Sequence, residues 1–398
     1  MNEAGITTFG ALLLLASLVA ILSRRIGLPY TAGLVVAGAA LALSPLGSDL
    51  PLSREIIFNL FLPPLIFEAA LQMPWQRFRD ELPLTLTLAF GGVAISAAVV
   101  AAGLFGVFGW SWLGAAFFGV LIAATDPVSV IAAFKEMKAE PRLAMVVESE
   151  SLLNDGVAAV GFAILLGLAG GAGLSFEAAL VSLGWTVAIG IGSGAVAAFA
   201  VLAIAGRTED HLVEVTLTTV VAWGSFLLAE HLGASGVFAA LTAGIIVGNK
   251  GWRRAISENG RPHVLNFWEF AAFLANSLLF LLIGSHEAHQ PIALFSGALA
   301  VVIPLTLLGR ALAVYPLSLP FRGTRMRLQA TYQHVLVWGG LRGAIALALA
   351  LSVPASVAEH RQIVVLAFGV VAFSILVQGL TIPTILRRWR LAAGEAAV

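Results

Sequence analysis

The sequence predicts an all-α polytopic membrane protein of about thirteen transmembrane helices, and three observations predict it. Of 398 residues, 59% are hydrophobic and 11% charged, where a soluble domain carries about 25% charged residues. The chain divides into apolar runs of roughly 20 residues, the length that crosses a bilayer. Lys and Arg gather at alternate ends of those runs, as the positive-inside bias requires. The 22 basic residues balance 22 acidic ones, so charge gives no reason to expect a nucleic-acid partner, and lipid is the expected surrounding. Without cysteine there is no disulfide framework, thiolate metal site or cysteine nucleophile.

The first run, Ile6 to Leu22, follows Met-Asn-Glu without a basic leader and ends at Arg24 and Arg25 without a small-residue cleavage site, so it reads as a retained first span, 5–23. Charged or Pro/Gly-rich punctuation delimits the others: 28–44, 54–73, 82–108, 111–134, 143–169, 178–205, 211–231, 235–249, 263–285, 291–319, 328–352 and 361–386. This division puts Arg24, Arg25, Arg77, Arg79, Lys135, Lys138, Arg142, Arg207, Lys250, Arg253, Arg254, Arg261, Arg322, Arg325, Arg327, Arg387, Arg388 and Arg390 on one side, and only Arg54 and Arg361 on the other. One span more or fewer would scramble that sorting. The N-terminus is therefore expected outside and the C-terminus in the cytoplasm. The longest loop, about Gly248 to Pro262, is far below domain size, so the chain is expected to be a single transmembrane unit.

Ionisable residues inside spans cost at least ~2.5 kcal/mol each and mark functional sites by default. In the third span, Glu68 follows the double proline Pro63-Pro64, which should bend the helix; it is either a site carboxylate or a gate facing water. The fifth span carries Thr125-Asp126-Pro127 near its middle. Proline disfavours helix at the preceding residue, so the helix should break there, with Asp126 capping a second half-helix and Pro127 at its first position. The sixth span holds Glu148-Ser149-Glu150-Ser151-Leu-Leu-Asn154-Asp155-Gly156. Helical spacing puts Glu148, Ser151 and Asp155 on one face and Glu150 and Asn154 on an adjacent stripe. Ser151 and Asp155, one turn apart, supply hard oxygen ligands of the kind an alkali cation prefers. In the eleventh span Arg310 is too deep to be unpaired at low cost; Glu150 is its expected partner, with Arg342 a rival for that carboxylate. The twelfth span contains Gly339-Gly340-Leu341-Arg342-Gly343, where three glycines should unwind the helix and Arg342 can neutralise carbonyl ends and partner a carboxylate. Spans five and twelve are seven apart and so run in opposite directions. Interrupted helices in oppositely oriented repeats point to a transporter site.

A carboxylate withdrawn from water titrates nearer neutral pH and can hold either a proton or a cation, seldom both. That competition is the minimal chemistry of cation/proton exchange. It needs no nucleophile, cofactor or phosphate-binding loop, and an enzyme is not expected.

Ala-Thr125-Asp126-Pro127-Val, Glu150-Ser151-Leu-Leu-Asn154-Asp155-Gly156, Phe-Leu-Pro63-Pro64-Leu-Ile-Phe-Glu68 and Gly340-Leu341-Arg342-Gly343 occur in this order on these spans. In them the chain resembles the cation/proton antiporter-1 family, the NhaP-type sodium/proton antiporters. The resemblance implies a core of spans four to six and eleven to thirteen, about 82–169 and 291–386, working against dimer-interface helices at about 5–73 and 178–285. It implies a homodimer in a prokaryotic inner membrane, with no cofactor beyond the transported Na⁺ and H⁺. It also implies that Thr125, Asp126, Ser151, Asp155 and Glu68 gather around the cation, and that Glu150 pairs with Arg310 or Arg342. Asn154 stands where electrogenic relatives carry a second aspartate, which implies one cation for one proton. No long tail follows Arg390, unlike the animal exchangers of this family, which favours a prokaryotic protein.

Two other readings are weaker. A channel would use similar polar residues but gains nothing from a titratable carboxylate buried beside a serine. Gly233-Ala234-Ser235-Gly236 matches the serine motif of rhomboid-like intramembrane proteases, but that chemistry needs a histidine base facing the serine, and the deepest later histidine, His334, lies near a cytoplasmic end. Small residues that let helices approach closely explain the stretch better.

Overall fold

The computed structural model describes residues 3–26, 29–42, 52–171, 176–251, 255–288, 296–389 and 391. Arg253, Arg254, Arg390 and the first residues of the expected eleventh span lie outside them, as does the side chain of Arg24. Among the described residues the regular elements are helical and there is no strand; an isolated antiparallel bridge joins Asp126 to Leu341. Among the described residues seven helices are long and apolar enough to cross a membrane: Trp75–Phe108, Pro141–Ala169, Glu177–Ala205, His211–His231, Gly260–His286, Ser296–Phe321 and His360–Arg388. The remaining apolar helices are shorter, and several meet end to end.

In chain order the elements are α1 (Glu3–Ile26), α2 (Tyr30–Ala42), α3 (Leu62–Gln72), α4 (Trp75–Leu86), α5 (Gly92–Phe108), α6 (Trp112–Ala123), α7 (Val128–Met137), α8 (Pro141–Ala169), α9 (Phe176–Ala205), α10 (His211–His231), α11 (Gly236–Ile246), α12 (Gly260–Ala288), α13 (Ser296–Ser318), α14 (Ala330–Trp338), α15 (Ala344–Ala350), α16 (His360–Phe373) and α17 (Leu380–Arg388). Wide π-helical turns precede α3 (Ile56–Phe61), join α4 to α5 (Thr87–Gly91), follow α11 (Val247–Gly251) and join α16 to α17 (Ser374–Gly379). One local outcome differs from expectation. Helix α4 begins at Trp75, well before the expected start at residue 82, because Arg77, Arg79, Asp80 and Glu81 end the apolar run without ending the helix; Arg and Glu are good helix formers. Pro63 and Pro64 open α3 directly after the π-helical turn Ile56–Phe61.

The chain forms two compact units. The first comprises Met1–Arg54, Leu84–Asn154 and Ser277–Val398. Within it α5 packs closely on α6: a Cβ at Gly119 would stand 2.4 Å from Ala97 O, so the two backbones touch and only glycine fits. A core of Leu84, Val130, Phe134, Val146, Tyr332, Leu336 and Ile382 packs α7, α8, α14 and α17 together. Helix α15 is only seven residues long and every one of them is buried.

The second unit comprises Glu55–Pro83 and Asp155–Asn276. Its core gathers Phe67, Leu71, Val221, Val247 and Trp268. The Trp268 ring lies 4.6 Å from that of Phe67, and its indole N–H donates to Thr218 Oγ1 at 3.0 Å, so the polar tip of a buried aromatic is satisfied. The fully buried Glu214 accepts from Ser257 N at 2.8 Å and Ser257 Oγ at 3.2 Å, which ties the start of α10 to the turn before α12. Leu180, Val181, Trp185, Val196 and Ile204 of α9 are exposed, as suits a helix facing lipid or a second subunit.

Candidate functional site

The site forms where two helical segments of the first unit stop short and face each other. Helix α6 ends at Ala123, and α7 starts at Val128. The second helix begins one residue later than the sequence suggests, with Pro127 at its cap. The Asp126 carboxylate still serves the cap, accepting from Val128 N at 2.9 Å, which satisfies one of the free N–H groups at a helix start. On the other side, α14 ends at Trp338 and α15 starts at Ala344. The two interrupted stretches pair through their backbones, Asp126 N donating to Leu341 O at 2.8 Å.

The glycines of the second stretch act by size. None of Gly339, Gly340 and Gly343 has a positive φ; Gly343 has φ −149° and ψ −142°. A Cβ at Gly343 would stand 2.0 Å from Asp126 Oδ2, and one at Gly340 would stand 2.9 Å from Arg310 Nε. The carboxylate therefore lies against bare backbone.

Free carbonyls at the end of α6 meet Arg342, whose Nη1 donates to Ala123 O at 2.7 Å and to Ala124 O at 3.1 Å. A guanidinium at the negative end of a helix is favourable both as a donor and as a charge. Arg310 forms a two-pronged pair with Glu150, Nη1 to Oε1 at 2.7 Å and Nη2 to Oε2 at 2.8 Å, and its Nε donates to Leu336 O at 3.1 Å. Between the rivals weighed for Glu150, the structure brings Arg310 to it. This planar fork is the geometry in which arginine binds carboxylate most tightly.

Thr125 and Ser151 meet beside the break. Thr125 Oγ1 donates to Ser151 Oγ at 3.2 Å, and the Ser151 hydroxyl donates to Thr125 O. Both residues are buried, whereas Asp126 is half-buried. A small cavity is lined by Thr125, Asp126, Glu150, Ser151, Arg310 and Gly340. Asn154 sits one turn from Glu150, its Nδ2 3.4 Å from Glu150 Oε1, and its buried Oδ1 has no hydrogen-bond partner among the described residues. Asp155 follows Ser151 by one turn on α8 and is buried; it opens the second unit. Glu68, also in that unit, is half-buried and accepts from Gln72 Nε2. Glu148 is partly exposed, and the Ser149 hydroxyl bonds back to Met145 O at 2.6 Å. Ser235 caps α11, its Oγ accepting from Phe238 N at 3.4 Å.

Three contributors were not singled out from the sequence. Ser374 Oγ accepts from Arg342 N at 2.8 Å and donates to Arg342 O at 3.0 Å, while Gln378 Nε2 donates to Trp338 O at 2.7 Å. Their spacing of four in an apolar span is the same signal that marks Glu150 and Asn154, and it could have found them. Glu359 accepts from Ser111 N at 2.7 Å and Ser111 Oγ at 2.8 Å, bracing the start of α6; nothing in sequence spacing links two positions that far apart.

Among the described residues no three or more His, Cys, Asp or Glu side chains are grouped to hold a metal ion. Hydroxyl, carbonyl and single-carboxylate oxygens are instead what the break presents.

Comparisons with known proteins identify the family. The family described as "Sodium/hydrogen exchanger, transmembrane" matches residues 12–388. The Na(+)/H(+) antiporter ApNhaP of Aphanothece halophytica is 39% identical over 371 residues, covering 93% of this chain and 71% of the relative. The Na(+)/H(+) antiporter NhaP of Pseudomonas aeruginosa is 37% identical over 346 residues, covering 84% and 81%. The solved structure of the sodium proton antiporter MjNhaP1 from Methanocaldococcus jannaschii at pH 8 shares the fold, with a TM-score of 0.75 at 21% identity over 99% of each chain. A match running nearly end to end, on a helical membrane fold, means that this chain is an integral membrane protein belonging to the transmembrane sodium/hydrogen exchanger family.

Proposed function

We propose that this protein is a secondary transporter, not an enzyme, that exchanges a monovalent cation, sodium foremost, for protons by alternating access. The observation that carries the proposal is the Asp126 carboxylate lying between two helix interruptions, beside the paired hydroxyls of Thr125 and Ser151. Family membership and relatives named as Na⁺/H⁺ antiporters support the same reading.

In this reading the chain crosses the membrane thirteen times. Helices α6 and α7 are the halves of one span and α14 and α15 the halves of another, running oppositely in inverted repeats. The core helices at about 82–169 and 291–386 move against interface helices at about 5–73 and 178–285, and two copies form a dimer in a prokaryotic inner membrane. The N-terminus is outside and the C-terminus cytoplasmic.

Asp155 is the carboxylate that trades a proton for the cation. Its place on the Ser151 face of α8 puts a hydroxyl one turn away, and burial makes a bare charge there costly, so it holds one ligand or the other. Asp126 remains ionised as a helix cap and cation ligand, Thr125 and Ser151 supply oxygens, and Glu68 is a further carboxylate at the site. Glu150 and Arg310 neutralise each other, Asn154 contributes a neutral amide, and Arg342 compensates the carbonyl end of α6. Each turnover then moves one cation against one proton.

Proton flux in vesicles, with sodium, lithium and potassium added in turn, tests the reading. Wild-type protein is expected to dissipate an imposed pH gradient on addition of sodium, and Asp155→Asn, which keeps the shape and loses the titrating group, to abolish the response while remaining folded. Wild-type rates in that variant would remove Asp155 from the mechanism.

A further inference from the structure

Interrupting a helix between Trp338 and Ala344 frees backbone groups that have no water to turn to, and each must find a partner. Leu341 O receives Asp126 N, Leu336 O receives Arg310 Nε, and Leu341 N bonds to Gly339 O at 2.8 Å. Three more are met from a single element, the π-helical turn between α16 and α17. The Ser374 hydroxyl spans both backbone groups of Arg342, accepting from its N–H and donating to its C=O. The Gln378 amide caps Trp338 O, and Thr381 Oγ1 receives the Trp338 indole N–H at 2.8 Å. Ser374 is fully buried and Gln378 is 3% exposed. With Thr381 they stand at i, i+4 and i+7, one polar stripe on an otherwise apolar helix. One side of the extended segment is thus held by the Asp126 amide and the other by Ser374.

We infer that Ser374 and Gln378 are positioning residues for the exchange reaction, holding Leu341 and Arg342 extended so that the Asp126 carboxylate and the Arg342 guanidinium keep their places at the break. The inference deepens the exchange reading and rests on it. Arg342 cannot cover Ala123 O and Ala124 O, nor Leu341 O receive the Asp126 amide, unless its own backbone is fixed, and Ser374 fixes both of its polar groups. The wide turn has a structural reason in the same place: π turns recur at functional sites because they turn side chains that a regular helix would direct elsewhere.

Ser374→Ala, Ser374→Thr and Gln378→Met are compared with wild type in the same vesicle assay. The loss of one buried hydrogen bond in Gln378→Met is expected to raise the KM for sodium about fivefold, and the loss of two in Ser374→Ala to raise it at least as much, with a shifted pH profile that Ser374→Thr is expected to restore. A merely structural role would lower the maximal rate through loss of folded protein while leaving KM and pH profile unmoved, and that result overturns the inference. Should Ser374→Ala fail to assemble, Gln378→Met gives the same test from the neighbouring turn. Amide hydrogen exchange across residues 338–343 supplies a readout that needs no transport. Faster exchange at the Arg342 amide in the serine variant supports the inference, and unchanged protection overturns it. Wild-type vesicles that release no protons on sodium addition would instead overturn the exchange reading, and the amide measurement would still decide what Ser374 holds.

Discussion

The side chains of Arg310 and Glu150 are 3% and 2% exposed, so each is the other's substitute for water. A buried pair of this kind contributes little beyond a well-packed apolar pair, but removal of one partner leaves an uncompensated charge. Glu150→Ala is accordingly expected to destabilise the protein by about 3 to 5 kcal/mol, seen as a lowered melting temperature in detergent. An unchanged melting temperature would mean that Arg310 finds another acceptor. At this scale the sequence was informative where polar residues interrupt apolar runs. Glu150, Arg310 and Arg342 stood out because hydrocarbon tolerates no charge cheaply, and Thr125 and Ser151 because they neighbour charged residues at a break and on a helix face. Between Arg310 and Arg342, spacing could not choose a partner for Glu150, because residues on different helices have no common register. Geometry separates them: Arg310 takes the carboxylate and Arg342 takes carbonyls.

Interruption of an element has a different cost from loss of a contact. Gly343 lies against Asp126, and an added Cβ has nowhere to go at 2.0 Å from the carboxylate oxygen. Gly343→Ala is expected to fold and to fail at the site. Exchange is expected to fall about tenfold or more, since small misplacements of reacting groups are expensive. Gly106→Ala, at a helical position with nothing within 4 Å of the added Cβ, serves as the control and should exchange like wild type; equal rates in both variants would show that the contact at Gly343 relaxes freely. The interruptions at Thr125-Asp126-Pro127 and Gly339 to Gly343 were legible because Pro and Gly carry backbone consequences of their own. The π turns were not. They contain ordinary helix-forming residues, such as Ile-Leu-Val in Ser374–Gly379, and arise from what neighbouring elements require of them. The early start of α4 was hidden for the opposite reason, since charge marks where hydrocarbon ends and says nothing about where a helix ends.

For the whole molecule, the quantity that matters is how much charge crosses the membrane per cycle. With Asp155 alone trading a proton for a cation, the loaded states carry equal charge, and a potential does no work on the difference. A potential acts with about 2.3 kcal/mol per charge per 100 mV, so imposing ~100 mV across vesicles should leave the sodium/proton exchange equilibrium unmoved. A displacement of about that size would show that two protons move per cation and that the single-carboxylate mechanism is wrong. Individual helices differ in what surrounds them. Leu180, Val181, Trp185 and Val196 of α9 are exposed, and the length of such a helix must answer to the thickness of its surroundings. Helix α15 is covered by protein on every side. Its seven residues need not match any bilayer, so thinning or thickening the membrane, which tilts or strains lipid-facing helices at fractions of a kcal/mol per Å, does not act on it directly. The segment that follows the Arg342 interruption is thereby shielded from hydrophobic mismatch, and one fold can serve membranes of different lipid composition without retuning that end of the break.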